Sequence, residues 1–164
     1  MKPRVYLKKI VAEDFEAFYS MAGNEKVMKM ITGKAQTRAE ARIKFNSLLA
    51  NNRWKESLGS FMVFARSDSR LLGFAKLEIK DQNQQEAELG YSLLPEFWGR
   101  GYGREIAEHL MHLALQEPDL DRVYAITDPD NIASRKILLH LGFVSEKKGE
   151  MDGLPSEIFG RSLG

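Results

Sequence analysis

The sequence predicts an α/β (α+β) fold in which helices cover a mixed sheet. Three observations carry this expectation: two helical patterns follow a first strand, three strands run in succession through the middle, and βα units with a closing hairpin complete the chain. No linker, repeat or low-complexity run interrupts the order, so one domain is expected over residues 1–164.

Val5 to Ile10 reads as the first strand. Asp14 then opens a helix whose Phe15, Phe18, Tyr19 and Ala22 fall at helical spacing. Thr37 with Glu40 three residues on forms a capping box for a second helix, and Ala41, Phe45, Leu48 and Asn52 continue one mostly apolar face. Phe61 to Ala65 and Leu71 to Ile79 are predicted as a hairpin across the polar turn Ser67-Asp68-Ser69-Arg70. Glu86 to Leu93 alternates Glu86, Glu88 and Gly90 against Ala87, Leu89 and Tyr91, the pattern of a half-buried strand, and Pro95 ends it. Between Gly101 and Glu117 the stripe of Ile106, Leu110, Leu113 and Ala114, widened by Ala107, Met111 and Leu115, predicts the longest helix. Val123 to Thr127 is β-branched and reads as a strand. Ser134 to Leu141 reads as a short helix closed by Gly142, and Phe143 to Leu163 as a hairpin turning at Met151-Asp152-Gly153.

Composition excludes several classes of function. Lysine plus arginine total 24 against 23 aspartates and glutamates, and a net charge of +1 offers no broad field for nucleic acid or an anionic membrane. The chain has no cysteine, which removes disulfides, thiolate-bound zinc, iron-sulfur clusters and a cysteine nucleophile together. Neither a signal-peptide core nor a membrane-spanning run is present, so a cytoplasmic protein is expected.

The sharpest local feature is Trp98-Gly99-Arg100-Gly101-Tyr102-Gly103-Arg104-Glu105, where a strand has ended and the long helix begins. Alternate glycines let backbone N–H groups approach a ligand. The helix N-terminus adds unpaired donors and a partial positive charge suited to pyrophosphate, and Arg100 and Arg104 can add charge-assisted contacts. A plain tight turn is the alternative reading of the same glycines. The lysine and hydroxyl of a P-loop are missing. A dinucleotide fingerprint fails by one residue, since Ile106 or Arg104 stands where the third glycine belongs; Asp128 could imitate its ribose-binding acid, but the loop begins four residues beyond the strand.

At these residues the chain resembles the GNAT superfamily of acetyl-CoA-dependent acetyltransferases, and more closely its RimJ/RimL branch of ribosomal-protein N-terminal acetylases. Three segments carry the resemblance: Leu89 to Gly103, Asp130-Asn131-Ile132-Ala133-Ser134-Arg135, and Leu139-His140-Leu141-Gly142-Phe143. It implies a GNAT-like mixed, mostly antiparallel twisted sheet flanked by helices, with acetyl-CoA as cosubstrate and no metal. It also implies roles. Backbone amides of Arg100, Gly101, Tyr102, Gly103 and Arg104 would cradle the CoA pyrophosphate, and Ser92, Leu93 and Leu94 would pair with pantetheine as an added strand would. Asn131 would contact pantetheine, and Ser134 would lie near the sulfur. Trp98 stands where the superfamily often has Gln or Arg, and Leu138 where many members place a tyrosine acid; both are usual in the RimJ/RimL branch.

Local readings stand beside these roles. Asn131 and Ser134 suit helix capping. Glu88, the better of two candidates for general base, lies with Glu86 on a strand face that tends to be solvated. His109 and His112 with Glu105 and Glu108 lack a metal-binding pattern and read as a solvated helix face, as does His140. Trp54, Phe97 and Trp98 would wall the acceptor pocket or pack the core. Without a nucleophile elbow, direct attack of a bound amine on the thioester is the economical mechanism, with amides near Leu93 and Leu94 polarising the carbonyl and Ser134 protonating the thiolate. The acceptor is expected to be a peptide N-terminus, with a small-molecule amine such as a polyamine or aminoglycoside as the alternative. A non-catalytic acyl-CoA-binding module is the alternative of a different class.

Overall fold

Residues 3–164 are described by the structure, a computed structural model. Seven strands form one sheet in the order β1-β2-β3-β4-β5-β7-β6. β1 (Val5–Lys9), β2 (Gly59–Ala65), β3 (Leu71–Glu78) and β4 (Glu86–Leu93) pair antiparallel in succession. β5 (Arg122–Thr127) runs parallel to β4, and β7 (Leu154–Ser162) pairs antiparallel with both β5 and the edge strand β6 (Val144–Met151). The expected mixed and mostly antiparallel sheet is therefore present.

The first connection carries three helices, one more than the periodicity predicts: α1 (Phe15–Ala22), α2 (Glu25–Met28) and α3 (Arg38–Asn51). Asn24 caps the short α2, accepting from the Lys26 and Val27 amides. It falls below the length at which an apolar stripe is readable. α3 begins with the predicted capping box, in which the Glu40 amide donates to Thr37 Oγ1 and the Thr37 amide to Glu40 Oε1. Its Ala41, Phe45 and Leu48 pack with Phe15 and Phe18 of α1 against Met62. Each of the larger of these side chains, Phe15, Phe18, Phe45, Leu48 and Met62, contributes on the order of 1.5–3 kcal/mol when removed from water. Asn52, beyond the helix end, accepts from the Ser60 amide and donates to the Ile10 carbonyl, which ties α3 to β1 and β2.

The opposite face of the sheet is covered by α4 (Tyr102–Gln116) and α5 (Ile132–His140). Ile106, Ala107, Leu110, Met111 and Ala114 of α4 are buried as the stripe predicts, whereas Leu115 is exposed. The structure corrects one expectation here. Glu88 is not on a solvated face: its side chain is only 16% exposed and is paired with Lys76 on the side of the sheet where α1 and α3 pack.

β4 and β5 pair only through Glu86–Arg122, Ala87–Val123 and Glu88–Tyr124. β4 then continues to Leu93 and β5 to Thr127 without pairing, so the two strands part and leave a gap in the sheet.

Candidate active site

On the α4–α5 side of the gap lies a cavity of about 570 Å³, bounded by the end of β4, the glycine loop and the first turn of α5. Of the expected residues, Ser92, Leu93, Gly101, Tyr102, Gly103, Arg104, Asn131 and Ser134 line it. Gly101 has φ +85° and precedes α4 with no side-chain cap on the helix. The amides of the first helical turn therefore point toward the cavity without a capping partner, an arrangement suited to phosphate oxygens. Gly103 has a packing role, since a Cβ there would lie 3.1 Å from the Tyr91 ring.

Arg100 and Leu94 do not line this cavity. The Arg100 guanidinium sits 5.9 Å from the Phe97 ring centroid, and its carbonyl accepts from Arg4 Nη2 at 3.1 Å. The Leu94 amide donates to the Leu72 carbonyl at 2.9 Å, so it is not free to polarise a thioester. Successive amides on a strand point to opposite edges, which leaves Leu93 directing its N–H toward the gap. Trp98 Nε1 donates to the Leu93 carbonyl at 2.9 Å and holds the loop over the strand end. Phe97 and Trp98 wall this first cavity, while Trp54 packs on the core and donates to Asn51 Oδ1.

Two residues absent from the sequence-derived site organise it. Arg4, before β1, donates to both carboxylate oxygens of Glu105 and to the Arg100 carbonyl, and its guanidinium lies 4.3 Å from the Tyr102 ring centroid. No local pattern signals it, because its partners are about a hundred residues away. Tyr91 places its hydroxyl 3.3 Å from Ser134 Oγ. Burial pushes the Tyr91 phenol above its usual pKa, with the Ser134 contact opposing, so it stays protonated at neutral pH. Its place in the strand alternation signalled only a core side chain.

Asn131 caps α5, its Oδ1 accepting from the Ser134 amide at 3.2 Å, and so leaves its Nδ2 hydrogens for the cavity. Below it, the fully buried Glu157 accepts from Arg135 Nε at 2.7 Å and from Ser145 Oγ at 2.6 Å, fixing this turn on β7. The Arg135 bond, helped by Ser145 and opposed by burial, holds the Glu157 carboxyl below the usual range.

A second cavity, about 470 Å³, opens on the α1–α3 side and meets the first at Met30, Ile31 and Ser92. Glu88 lines it, with its carboxylate 3.3 Å from Lys76 Nζ. Lys29, Lys44, Lys76 and Lys80 face it against Glu88, Asp128 and Asp152. Among the described residues, no group of three or more His, Cys, Asp or Glu side chains is arranged to hold a metal. The same residues include no helix long and apolar enough to cross a membrane. His109 has its pKa lowered mainly by burial, and His140 contacts Arg104.

Comparison with known proteins agrees with this geometry. The family described as "Acetyltransferase (GNAT) domain" matches residues 4–144. An uncharacterized N-acetyltransferase, YoaA of Bacillus subtilis, is 27% identical over 144 residues, covering 87% of this chain and 81% of that protein. The putative ribosomal N-acetyltransferase YdaF of the same organism is 34% identical over 87 residues, 53% of this chain and 47% of that one. Among solved structures, the ribosomal L7/L12 alpha-N-protein acetyltransferase RimL, bound to coenzyme A, superposes with TM-score 0.80 at 15% identity over 98% of this chain and 95% of that one. The spermidine N-acetyltransferase of Vibrio cholerae, with CoA and spermine, gives TM-score 0.80 at 16% identity over 99% and 97%.

Proposed function

Because the chain belongs to the GNAT acetyltransferase family, using acetyl-CoA as acyl donor, we propose that it acetylates the α-amino group of a peptide or protein N-terminus. The observation that supports this reading is the meeting of the two cavities at Ser92, where an acceptor entering from one side would stand beside a thioester entering from the other.

Each residue then has a task. First-turn amides of Tyr102, Gly103 and Arg104, with the Arg104 side chain, hold the pyrophosphate. The Leu93 amide, facing the gap, donates to the carbonyl oxygen as it gains negative charge. Ser134 supplies the proton that the departing thiolate needs, and the protonated Tyr91 phenol beside it can replenish that proton. Glu88 is paired with Lys76 and lies four residues along β4 from Ser92, about 13 Å at 3.3 Å per residue. That distance and that partner make it a wall residue of the acceptor cavity rather than a base in contact with the amine.

An acceptor that needs no strong base fits such a site. An α-amine of pKa about 8 is roughly one-tenth neutral at pH 7, whereas deprotonating a lysine of pKa near 10.4 costs on the order of 4–5 kcal/mol. Charge points the same way. The solved neighbours include enzymes whose names specify spermidine and an aminoglycoside, but this acceptor cavity is lined by four lysines and three carboxylates, a poor match for a polycation.

The test uses two peptides, one with a free N-terminus and no lysine, the other N-terminally blocked with one lysine, alongside spermidine and an aminoglycoside. Acetylation of the first is expected. Turnover of only the blocked peptide, or a preference for the small amines, overturns the acceptor reading and leaves the acetyltransferase chemistry intact.

A further inference from the structure

The charges of the acceptor cavity are sorted in space. Phe74, Lys76 and Glu78 of β3 stand opposite Ser92, Gly90 and Glu88 of β4. Glycine at position 90 lets the Lys76 stem lie flat across β4, since a Cβ there would be 3.1 Å from Lys76 Cε. Lys76 thereby reaches 3.3 Å from Glu88 and 3.7 Å from Glu78. Glu78 is buried, with one oxygen bonded to Asn51 and the other without a hydrogen bond.

Around this set stand Lys44 from α3 and Lys80 just past β3, both lining the cavity. Neither makes an ion pair among the described residues. At this end three ammonium groups, Lys44, Lys76 and Lys80, stand near two carboxylates, Glu78 and Glu88; Lys29, Asp128 and Asp152 complete the lining, so the charges balance over the whole and the positive excess is confined to this end. The Lys44 pKa is lowered first by burial and next by the Lys76 cation, with Glu78 and Glu88 opposing and Lys80 adding a smaller lowering. The carboxylates of Asp128 and Asp152 line the same cavity from the β5 end and the β6–β7 turn. Four residues beyond the last β4–β5 pair, Glu88 with Tyr124, the chain reaches Ser92 on one strand and Asp128 past the other. The acidic end is therefore level with the point where acceptor and donor cavities meet.

We propose, building on the peptide reading above, that the acceptor is a peptide bearing a carboxylate at its third or fourth residue, with its amine at the Ser92–Asp128 end and that carboxylate held by Lys44 and Lys80. The spacing follows from the strand. Lys76 stands opposite Gly90, two residues along β4 from Ser92, and Lys80 lies two residues past Glu78, which stands opposite Glu88; along the strand these are about 7 Å and about 20 Å at 3.3 Å per residue. An extended peptide covers about 3.3–3.6 Å per residue, so the backbone of a third or fourth residue, or the terminal carboxylate of a tetrapeptide, lies between these two points, and the long Lys80 side chain reaching back along the strand spans the rest. A carboxylate there neutralises the surplus charge, and a cation adds to it.

The experiment measures kcat/KM for four peptides: the tetrapeptide amides Ser-Ala-Glu-Ala, Ser-Ala-Gln-Ala and Ser-Ala-Arg-Ala, and Ser-Ala-Gln-Ala with a free C-terminal carboxylate. The Glu amide is expected to exceed the Gln amide about fivefold to tenfold, and the Arg amide to fall below it. If the free acid matches the Glu amide, a chain-terminal carboxylate satisfies the site as a side chain does; if it matches the Gln amide, the site reads the side chain. In the double variant Lys44→Gln/Lys80→Gln, the Glu-to-Gln ratio is expected to drop below two. That ratio is internal to each enzyme, so a general loss of activity cancels. Equal rates for the Glu and Gln amides in the wild type, or a ratio that survives the double substitution, overturn this inference and leave the α-amine reading standing. Failure to acetylate any of the four, with CoA still bound, overturns both.

Discussion

Replacing Glu157 by alanine tests how the β7 strand supports the active site. The carboxylate is completely buried and receives Arg135 Nε at 2.7 Å, Arg135 Nη2 at 3.4 Å and Ser145 Oγ at 2.6 Å. Breaking a buried, hydrogen-bonded ion pair costs about 3–5 kcal/mol, because the remaining partner is left without its counter-charge. Arg135 is 28% exposed, so water can solvate part of the orphaned guanidinium, and we expect about 2–4 kcal/mol. At roughly 2–4 °C per kcal/mol for a chain of this size, Tm should fall roughly 5–15 °C in calorimetry. Glu157→Gln keeps an acceptor and the shape and should lose about half as much. Because the folded carboxyl sits below its ordinary value of about 4.3, its contribution is present above that pH and is lost as pH falls through the lower folded value. The gap between wild type and Glu157→Gln should therefore narrow below about pH 4. CoA affinity should weaken several-fold in Glu157→Ala, since Asn131 and Ser134 sit on the turn that Arg135 anchors. A Tm within 2 °C of wild type, or a gap unchanged at pH 3, would refute the reasoning.

Three further outcomes are expected. Arg4→Ala, which removes the guanidinium's contacts with Glu105, the Arg100 carbonyl and the Tyr102 ring but keeps the backbone amide bond to Glu105, should weaken CoA binding about fivefold to tenfold with a Tm loss of only about 2–4 °C, and calorimetric titration with CoA checks it. Gly101→Val should abolish CoA binding while the protein remains folded, because φ is +85° and the new side chain would stand at the mouth of the cradle; a folded variant with wild-type affinity contradicts the assignment. Ser134→Ala should lower kcat at least tenfold with little change in CoA affinity, and Tyr91→Phe, losing only the 3.3 Å contact, should lower it less. An equal loss in both variants would shift the proton donor to Tyr91.

Much of the architecture and half of the site can be read from local chemistry. The Thr37–Glu40 box, the stripe of Ile106 to Ala114, the alternation of Glu86 to Leu93 and the glycine loop at the start of α4 are short-range consequences of residue type and period, and they appear where expected; the structure adds that Gly101 takes a positive φ. The short α2 was not legible, because four residues carry no period. Glu88 was placed on a solvated face because alternation distinguishes two faces but does not say what covers each of them.

The linear sequence determined the helix N-terminus that can hold pyrophosphate, since glycines and free first-turn amides need only their neighbours to act. It determined equally the turn at Asn131, where the capping side chain and the helix it caps are three residues apart. Tertiary structure alone decided which edge of β4 faces an open gap, and so why Leu93 and not Leu94 has an amide to offer. It decided that Arg4 braces a loop some hundred residues away, that Glu157 anchors α5 and that Lys76 lies across Gly90. These are pairings between distant parts of the chain, and their existence depends on strand order and register, which residue periodicity does not encode.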